Sequence, residues 1–286
     1  MTEKYTILHP DLHVTADSAI TWLKTELGMK KSSIKVEEAI DPDIKLRPTI
    51  SAQTKDFHIL CIEVSKTIDS NLLSSSVLDC QRKGLPVKLY VAVQHGHNEE
   101  EYARKLKDAK NRGLGILEAS DKHWNVVLQG LSLSLTNARP INFKDFPKKY
   151  RESLQQAEQT YRNGDPLRGC SHVYADLEAA FWRFAGKCRK KGIWASSGGF
   201  DLDSVAWATL ITNMDKHLDR SNVLAQPVSS SLLAQILGIT SLRNETMHNP
   251  NSLQVRINRD RKLRTRFESA IDLLKEFIDA TSALKI

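Results

Sequence analysis

Phe57-His58-Ile59-Leu60-Cys61-Ile62-Glu63-Val64 decides the fold class of the first half of this chain. The run is apolar and partly β-branched, with one carboxylate inside it. That pattern reads as a central strand. Working outward, Ser33–Ala39 and Leu46–Ser51 read as strands before it, and Ser18–Leu27 as an amphipathic helix ahead of both. After it, Leu72–Lys83 is helical and stops at Gly84-Leu85-Pro86. Val87–Val93 is a second buried strand, Glu99–Arg112 a charged helix, and Gly115–Glu118 and Asn125–Leu128 are short strands. The order α-β-β-β-α-β-α-β-β predicts an α/β domain, a mixed sheet flanked by helices, over 1–135.

Beyond a polar linker at 136–147, with prolines at Pro140 and Pro147, the strand signals end. Lys148–Arg162 predicts a helix closed by Asn163-Gly164-Asp165-Pro166. Leu167–Lys190 predicts a longer one, with Val173, Leu177, Ala180, Phe181 and Phe184 at the helical repeat. Val205–Met214 follows, with Asp201 or Asp203 as its cap. Ser229–Ser231 caps a further helix through Leu237, and Arg264–Leu284 is the last. An all-α bundle is expected over 148–286.

At 286 residues the chain has room for one large or two ordinary domains, and 41% hydrophobic residues suffice for real cores. The formal charge of +7 is a mild bias toward polyanions. No apolar run is long enough to span a bilayer, and Met1–Pro10 lacks the pattern of a signal peptide. The cysteines Cys61, Cys80, Cys170 and Cys188 have no CxxC spacing, which fits a reduced, cytoplasmic setting. His95 and His97 with Glu100 offer too few ligands for a metal site, so none is expected. Ser196-Ser197-Gly198-Gly199 lacks the lysine and preceding strand of a phosphate loop and reads as a connector.

The chemistry concentrates in Leu242-Arg243-Asn244-Glu245-Thr246-Met247-His248-Asn249-Pro250. Cleaving RNA through its own 2′-hydroxyl needs a proton shuttle, positive charge on the phosphorane and an orienting group. His248 titrates near neutrality. Arg243 is permanently charged and can hold two phosphate oxygens. Asn244 supplies an amide. On an ideal helix Arg243 and His248 lie about 140° apart. A kink, or a helix starting at Thr240-Ser241, would bring them closer. A bland alternative is a surface ion pair beside a helix-terminal histidine.

Arg243, a polar residue, three variable residues and His248, downstream of Glu152–Asp165 and His172–Phe181, resemble the C-terminal half of a HEPN domain. The resemblance implies a HEPN-like helical fold and a metal-independent endoribonuclease needing no cofactor. It implies a homodimer that places two copies of the motif across its two-fold. Products would carry 2′,3′-cyclic phosphate and 5′-hydroxyl ends. Such domains are associated with toxins and anti-phage defence. The basic residues Arg256, Arg259, Arg261, Lys262, Arg264 and Arg266, and Lys187, Arg189, Lys190 and Lys191, are candidates to track RNA phosphates. The alternative is a solvated helix face with Asp260 and Glu268 as counter-ions. Trp182, Trp194 and Trp207 are candidates for base stacking or for core packing.

In the first half, Arg47-Pro48-Thr49-Ile50-Ser51 followed by Asp56–Lys66 resembles a PD-(D/E)xK, restriction-endonuclease-like core. Such cores hold a divalent metal with two acids and orient water with a lysine. Thr49 stands at the first acid and Ser65 at the lysine; Glu63 alone matches. Lys66, one residue late, is expected on the opposite face of the strand. The domain is expected to be a degenerate nuclease that senses or holds a trigger or regulatory partner. Two rivals stay open. One is a non-catalytic dimer that binds nucleic acid or a partner. The other is a metal-dependent DNase using Glu63.

Overall fold

The computed structural model describes residues 5–69, 74–94, 99–120, 123–136, 138–194, 206–245 and 250–285; for 74–75, 99 and 241–245 it describes the backbone alone. Two compact units divide the chain. The first is Met1–Asn137 with Arg162–Gly164 and Asn249–Arg261, and the second is Ala138–Tyr161, Asp165–His248 and Lys262–Ile286. Two later pieces of chain thus join the first unit.

The first unit is built on a six-stranded sheet in the order β1 (Ile34–Val36), β2 (Ile50–Gln53), β3 (Ile59–Val64), β4 (Val87–Gln94), β5 (Gly115–Ser120), β6 (His123–Leu128). β1, β2 and β3 run antiparallel, β3, β4 and β5 parallel, and β6 returns antiparallel to β5. The sheet is therefore mixed, as the alternation of elements predicts. α1 (His13–Thr25) covers one face, where Ala16, Ala19, Ile20 and Leu23 meet Ile50, Ile62, Val64, Ala92 and Leu117. α2 (Ser74–Lys83) and α3 (Glu99–Asn111) cover the other, where Cys80 and Ala109 meet Cys61, Leu89, Val91 and Ile116. Burial on both faces explains the near-continuous apolar run of β4. β1 is shorter than expected; it ends at Val36, and Glu37 turns away at φ 52° and uses its carboxylate to accept the N–H groups of Thr6, Ile7 and Leu8.

The second unit is helical: α4 (Lys148–Arg162, whose last residue joins the first unit), α5 (Pro166–Lys190), α6 (Trp207–His217), α7 (Ser230–Glu245) and the larger part of α8 (Leu253–Thr281). Asp165 caps α5 by accepting from Arg168 N at 3.1 Å, and Pro166 occupies its first turn, where a missing N–H costs nothing. Aromatic contacts fix the helix pairs: Tyr161 stacks on Phe267 at 4.2 Å, and Phe277 packs between Phe181 and Phe184 at 5.1 and 5.5 Å. The expected linker is packed rather than solvated, since Ala138, Ile141 and Phe146 are buried. α7 is capped by Ser229, whose Oγ accepts from Leu232 N at 3.0 Å. It runs to Glu245 instead of stopping at Leu237, so no helix begins at Thr240-Ser241. α8 starts at Leu253, well before the expected Arg264, and its first turns pack Leu253 and Ile257 on the core of the first unit.

Candidate functional site

The register of β2 and β3 sets Ile50 against Ile62, which brings Thr49 and Glu63 together. Thr49 N donates to Glu63 Oε2 at 3.0 Å, and Val64 N donates to Thr49 Oγ1 at 3.3 Å. Thr49 is 3% exposed, and its hydroxyl is engaged both by the backbone of β3 and by the Glu63 carboxyl. Burial pushes the Glu63 carboxyl above its usual range; hydrogen bonds from the Thr49 N–H and side chain pull the other way, and the nearby negative charge of Glu37 adds to the rise. Ser65 Oγ accepts from Thr67 N at 3.3 Å. Lys66 pairs through Nζ with Asp11 Oδ2 at 2.7 Å, just ahead of α1, so it takes no part in the Thr49–Glu63 pair. Among the described residues no group of three or more His, Cys, Asp or Glu side chains is placed to hold a metal ion. The strand pair thus places one carboxylate, Glu63, beside a threonine that is hydrogen-bonded to the neighbouring strand.

Arg256 requires a correction. It was a candidate phosphate contact in a basic run, but it is 1% exposed inside the first unit. Its Nε donates to Asp260 Oδ2 at 3.0 Å, its Nη1 to Asp56 O and Oδ2 at 3.2 and 3.3 Å, and its Nη2 to His58 Nε2 at 2.8 Å and Gly164 O at 3.0 Å. A buried guanidinium is tolerable only when its donors are satisfied in this way. Asp260, offered by the alternative reading as a counter-ion, has that role toward Arg256 and also accepts from Ser134 Oγ at 3.2 Å. Asp56 sits in the β2–β3 turn, with its carboxyl held far below the usual range by hydrogen bonds from His58 and Thr54 and by the Arg256 charge. Sequence reasoning missed His58 altogether. The one local signal was the i, i+4 spacing of Arg256 and Asp260.

The other basic candidates divide by exposure. Arg261 and Lys262 are exposed, and Arg259 and Arg264 are half-buried. Arg189 and Lys190 are exposed on the last turn of α5, where cations offset the helix dipole. Lys187 is engaged locally, with Nζ donating to the carbonyls of Leu284 and Lys285. Of the tryptophans, Trp207 is 8% exposed and belongs to the core rather than to a stacking surface; Trp182 and Trp194 are half-buried.

Arg243 and Asn244 stand in the last described turn of α7, known here by their backbone. His248 lies outside the described residues, as do Thr246, Met247, His95, His97, Asp201, Asp203 and Ser196–Gly199. Upstream, α4 covers 152–162 and α5 covers 172–181. All four cysteines are buried free thiols. Among the described residues no helix is long and apolar enough to cross a membrane. Comparison with protein-family models, with curated proteins and with solved structures gives no match.

Proposed function

We propose that this chain is a metal-independent endoribonuclease of the HEPN type, acting as a homodimer and regulated through a degenerate restriction-endonuclease-like unit. One observation carries the reading: Arg243 and Asn244 occupy the last described turn of α7, in a unit whose described elements are helices, with His248 following in sequence. His248 would exchange protons with the 2′-hydroxyl and the leaving 5′-oxygen, its counterpart in the second protomer supplying the other imidazole. Arg243 would hold the phosphorane oxygens and Asn244 orient the imidazole. Products would be 2′,3′-cyclic phosphate and 5′-hydroxyl ends. By resemblance alone, the setting is a toxin or an anti-phage defence effector. The degenerate reading of the first unit is supported by Thr49 facing Glu63 where two acids are needed. A threonine and a single carboxylate make a poor site for a hard divalent cation.

The test is cleavage of end-labelled RNA, with a DNA of the same sequence beside it, in the presence and absence of EDTA. Cleavage should survive EDTA, spare the DNA and fall by about 10²–10³ in His248→Ala and Arg243→Ala. Mg²⁺-dependent nicking of the DNA, lost in Glu63→Ala, would establish the DNase reading instead. Cleavage of neither would leave a binding dimer.

A further inference from the structure

The first unit carries a cavity that the nuclease-like residues do not touch. Its volume is about 660 Å³, within the range of about 300–1,000 Å³ found for small-molecule sites. It opens on the α1 face of the sheet, whereas Glu63 shares the opposite face with Cys61. It also lies toward the β2–β3 turn, at the starts of β3 and β4, while Glu63 is near the end of β3.

Three properties define what fits. The floor is apolar: Ile62 and Leu117 are fully buried beneath it, and at its edge Leu27 and Val126 leave 46% of their surface exposed. Three aromatic residues, Trp22, Phe57 and Tyr90, line it. Phe57 is held at φ 64°, a conformation that non-glycine residues rarely adopt. The Tyr90 ring is held against Gly115 and Gly130, where any Cβ would meet it at 2.2 and 3.2 Å. Its hydroxyl accepts from Gln129 Nε2 at 2.8 Å, and burial pushes its ionisation up to about 12, so it stays neutral. The charge is one-sided. Lys30, Lys55 and Lys88 line the cavity, and among the described residues no acidic one does.

We propose that this cavity is a binding site for a nucleoside phosphate, with the base lying against the Trp22, Phe57 and Tyr90 rings and the phosphate met by Lys30 and Lys55. An apolar floor lined by aromatic side chains suits a flat heterocycle, since base stacking on an aromatic side chain contributes whatever the base. Gln53, exposed at the mouth, offers both a donor and an acceptor to a base edge. The exposed Lys30 and Lys55, with no acidic side chain among the described lining residues, favour a ligand that carries an anionic group. The site belongs wholly to the first unit, and its occupancy stands whether or not the helical unit cleaves RNA.

The experiment is titration of the full chain with the four nucleoside 5′-monophosphates, with inorganic phosphate and decanoate as controls, followed by calorimetry and tryptophan fluorescence. At least one monophosphate should bind saturably below about 1 mM and at least about tenfold more tightly than either control. Lys30→Glu/Lys55→Glu, two exposed substitutions, should weaken it by about tenfold or more while circular dichroism is unchanged. Trp22→Phe keeps a ring and should retain binding. Failure of every monophosphate to saturate, binding indifferent to the lysine pair, or decanoate binding as tightly as the best nucleotide would each overturn the assignment.

Discussion

Arg256 Nη2 lies 2.8 Å from His58 Nε2, and that contact fixes the tautomer of the imidazole. A guanidinium only donates, so Nε2 must accept. The ring proton therefore sits on Nδ1, where it is donated to Asp56 Oδ2 at 2.9 Å. A neutral histidine thus joins a buried cation to a turn carboxylate, across residues 198 apart in sequence. The first turns of α8 are tied to the β2–β3 turn by this relay, which gives the first unit a polar clamp alongside its apolar core.

Removing the guanidinium should therefore cost stability before anything else. Arg256→Met leaves Asp260, 1% exposed, without its cation, and leaves His58 Nε2 without its donor. Breaking a buried pair from one side costs about 3–5 kcal/mol. Urea unfolding should show that loss, and Arg256→Met/Asp260→Leu should recover part of it because no buried charge is then stranded. A phosphate-contacting Arg256 would instead leave unfolding unchanged and lower the salt dependence of RNA binding by about one charge.

Acid should loosen the same clamp in two stages. His58 is held below its ordinary value by burial first, with the Arg256 and Lys88 charges adding and Asp56 opposing. The unfolded state then binds a proton that the folded state refuses, so stability is present above about pH 6.5 and is lost as pH falls below it. Asp56 is also depressed, so its contribution is present above about pH 4 and is lost below that. His58→Gln, whose amide oxygen can still accept from Arg256, should remove the first stage and keep the second. Thermal unfolding from pH 7 to 3 reads both; a melting temperature flat between pH 6.5 and 5 in the parent chain contradicts the assignment.

Glu63 should behave in the opposite sense. Burial raises its carboxyl, so its folded form is favoured below the unfolded value of about 4.3 and is penalised as pH climbs past it. Glu63→Gln keeps an oxygen to accept from Thr49 N and has no charge to desolvate. It should be as stable as the parent or more so at pH 7, with the gap closing toward pH 4. RNA cleavage should be unaffected. A loss of activity toward either nucleic acid in this variant would return the strand pair to the list of working sites.

What the sequence made legible was local. Ile59–Val64 and Val87–Gln94 are strands because both faces of the sheet are buried there, and apolar continuity records that directly, though it carried the expected start of β3 two residues too far, into the turn at Phe57 and His58. The spacing of Val173, Leu177, Phe181 and Phe184 records the buried stripe of α5 in the same way. The end of α7 was not legible, because a glycine such as Gly238 after a periodic run can stop a helix or be passed through. The helix passes through it, in open space with nothing within 4 Å of an added Cβ. Arg256 was misjudged because a run of basic residues carries no mark of which one is buried. Only the fold brings Asp56, His58 and Gly164 to it. The candidate RNA site was legible as residue types alone, since a separation of five positions does not determine whether Arg243 and His248 converge.

Two glycines of α5 should respond to the same substitution with opposite signs. At Gly186 a Cβ would meet nothing within 4 Å. The helix interior favours alanine over glycine by up to about 1 kcal/mol, mostly through the entropy of the unfolded chain. Gly186→Ala should therefore raise the unfolding midpoint of the helical unit. At Gly169 a Cβ would lie 2.7 Å from Tyr161 Cβ, 3.0 Å from Tyr161 Cα and 3.0 Å from Ala157 O, so α4 itself blocks it. Relief requires moving backbone, and overpacking of this kind costs about 1–3 kcal/mol. It would also disturb the Tyr161–Phe267 stack. Urea unfolding of the two single variants decides the matter. A Gly169→Ala chain as stable as Gly186→Ala would mean that α4 and α5 do not approach each other as closely as their contact at Gly169 requires.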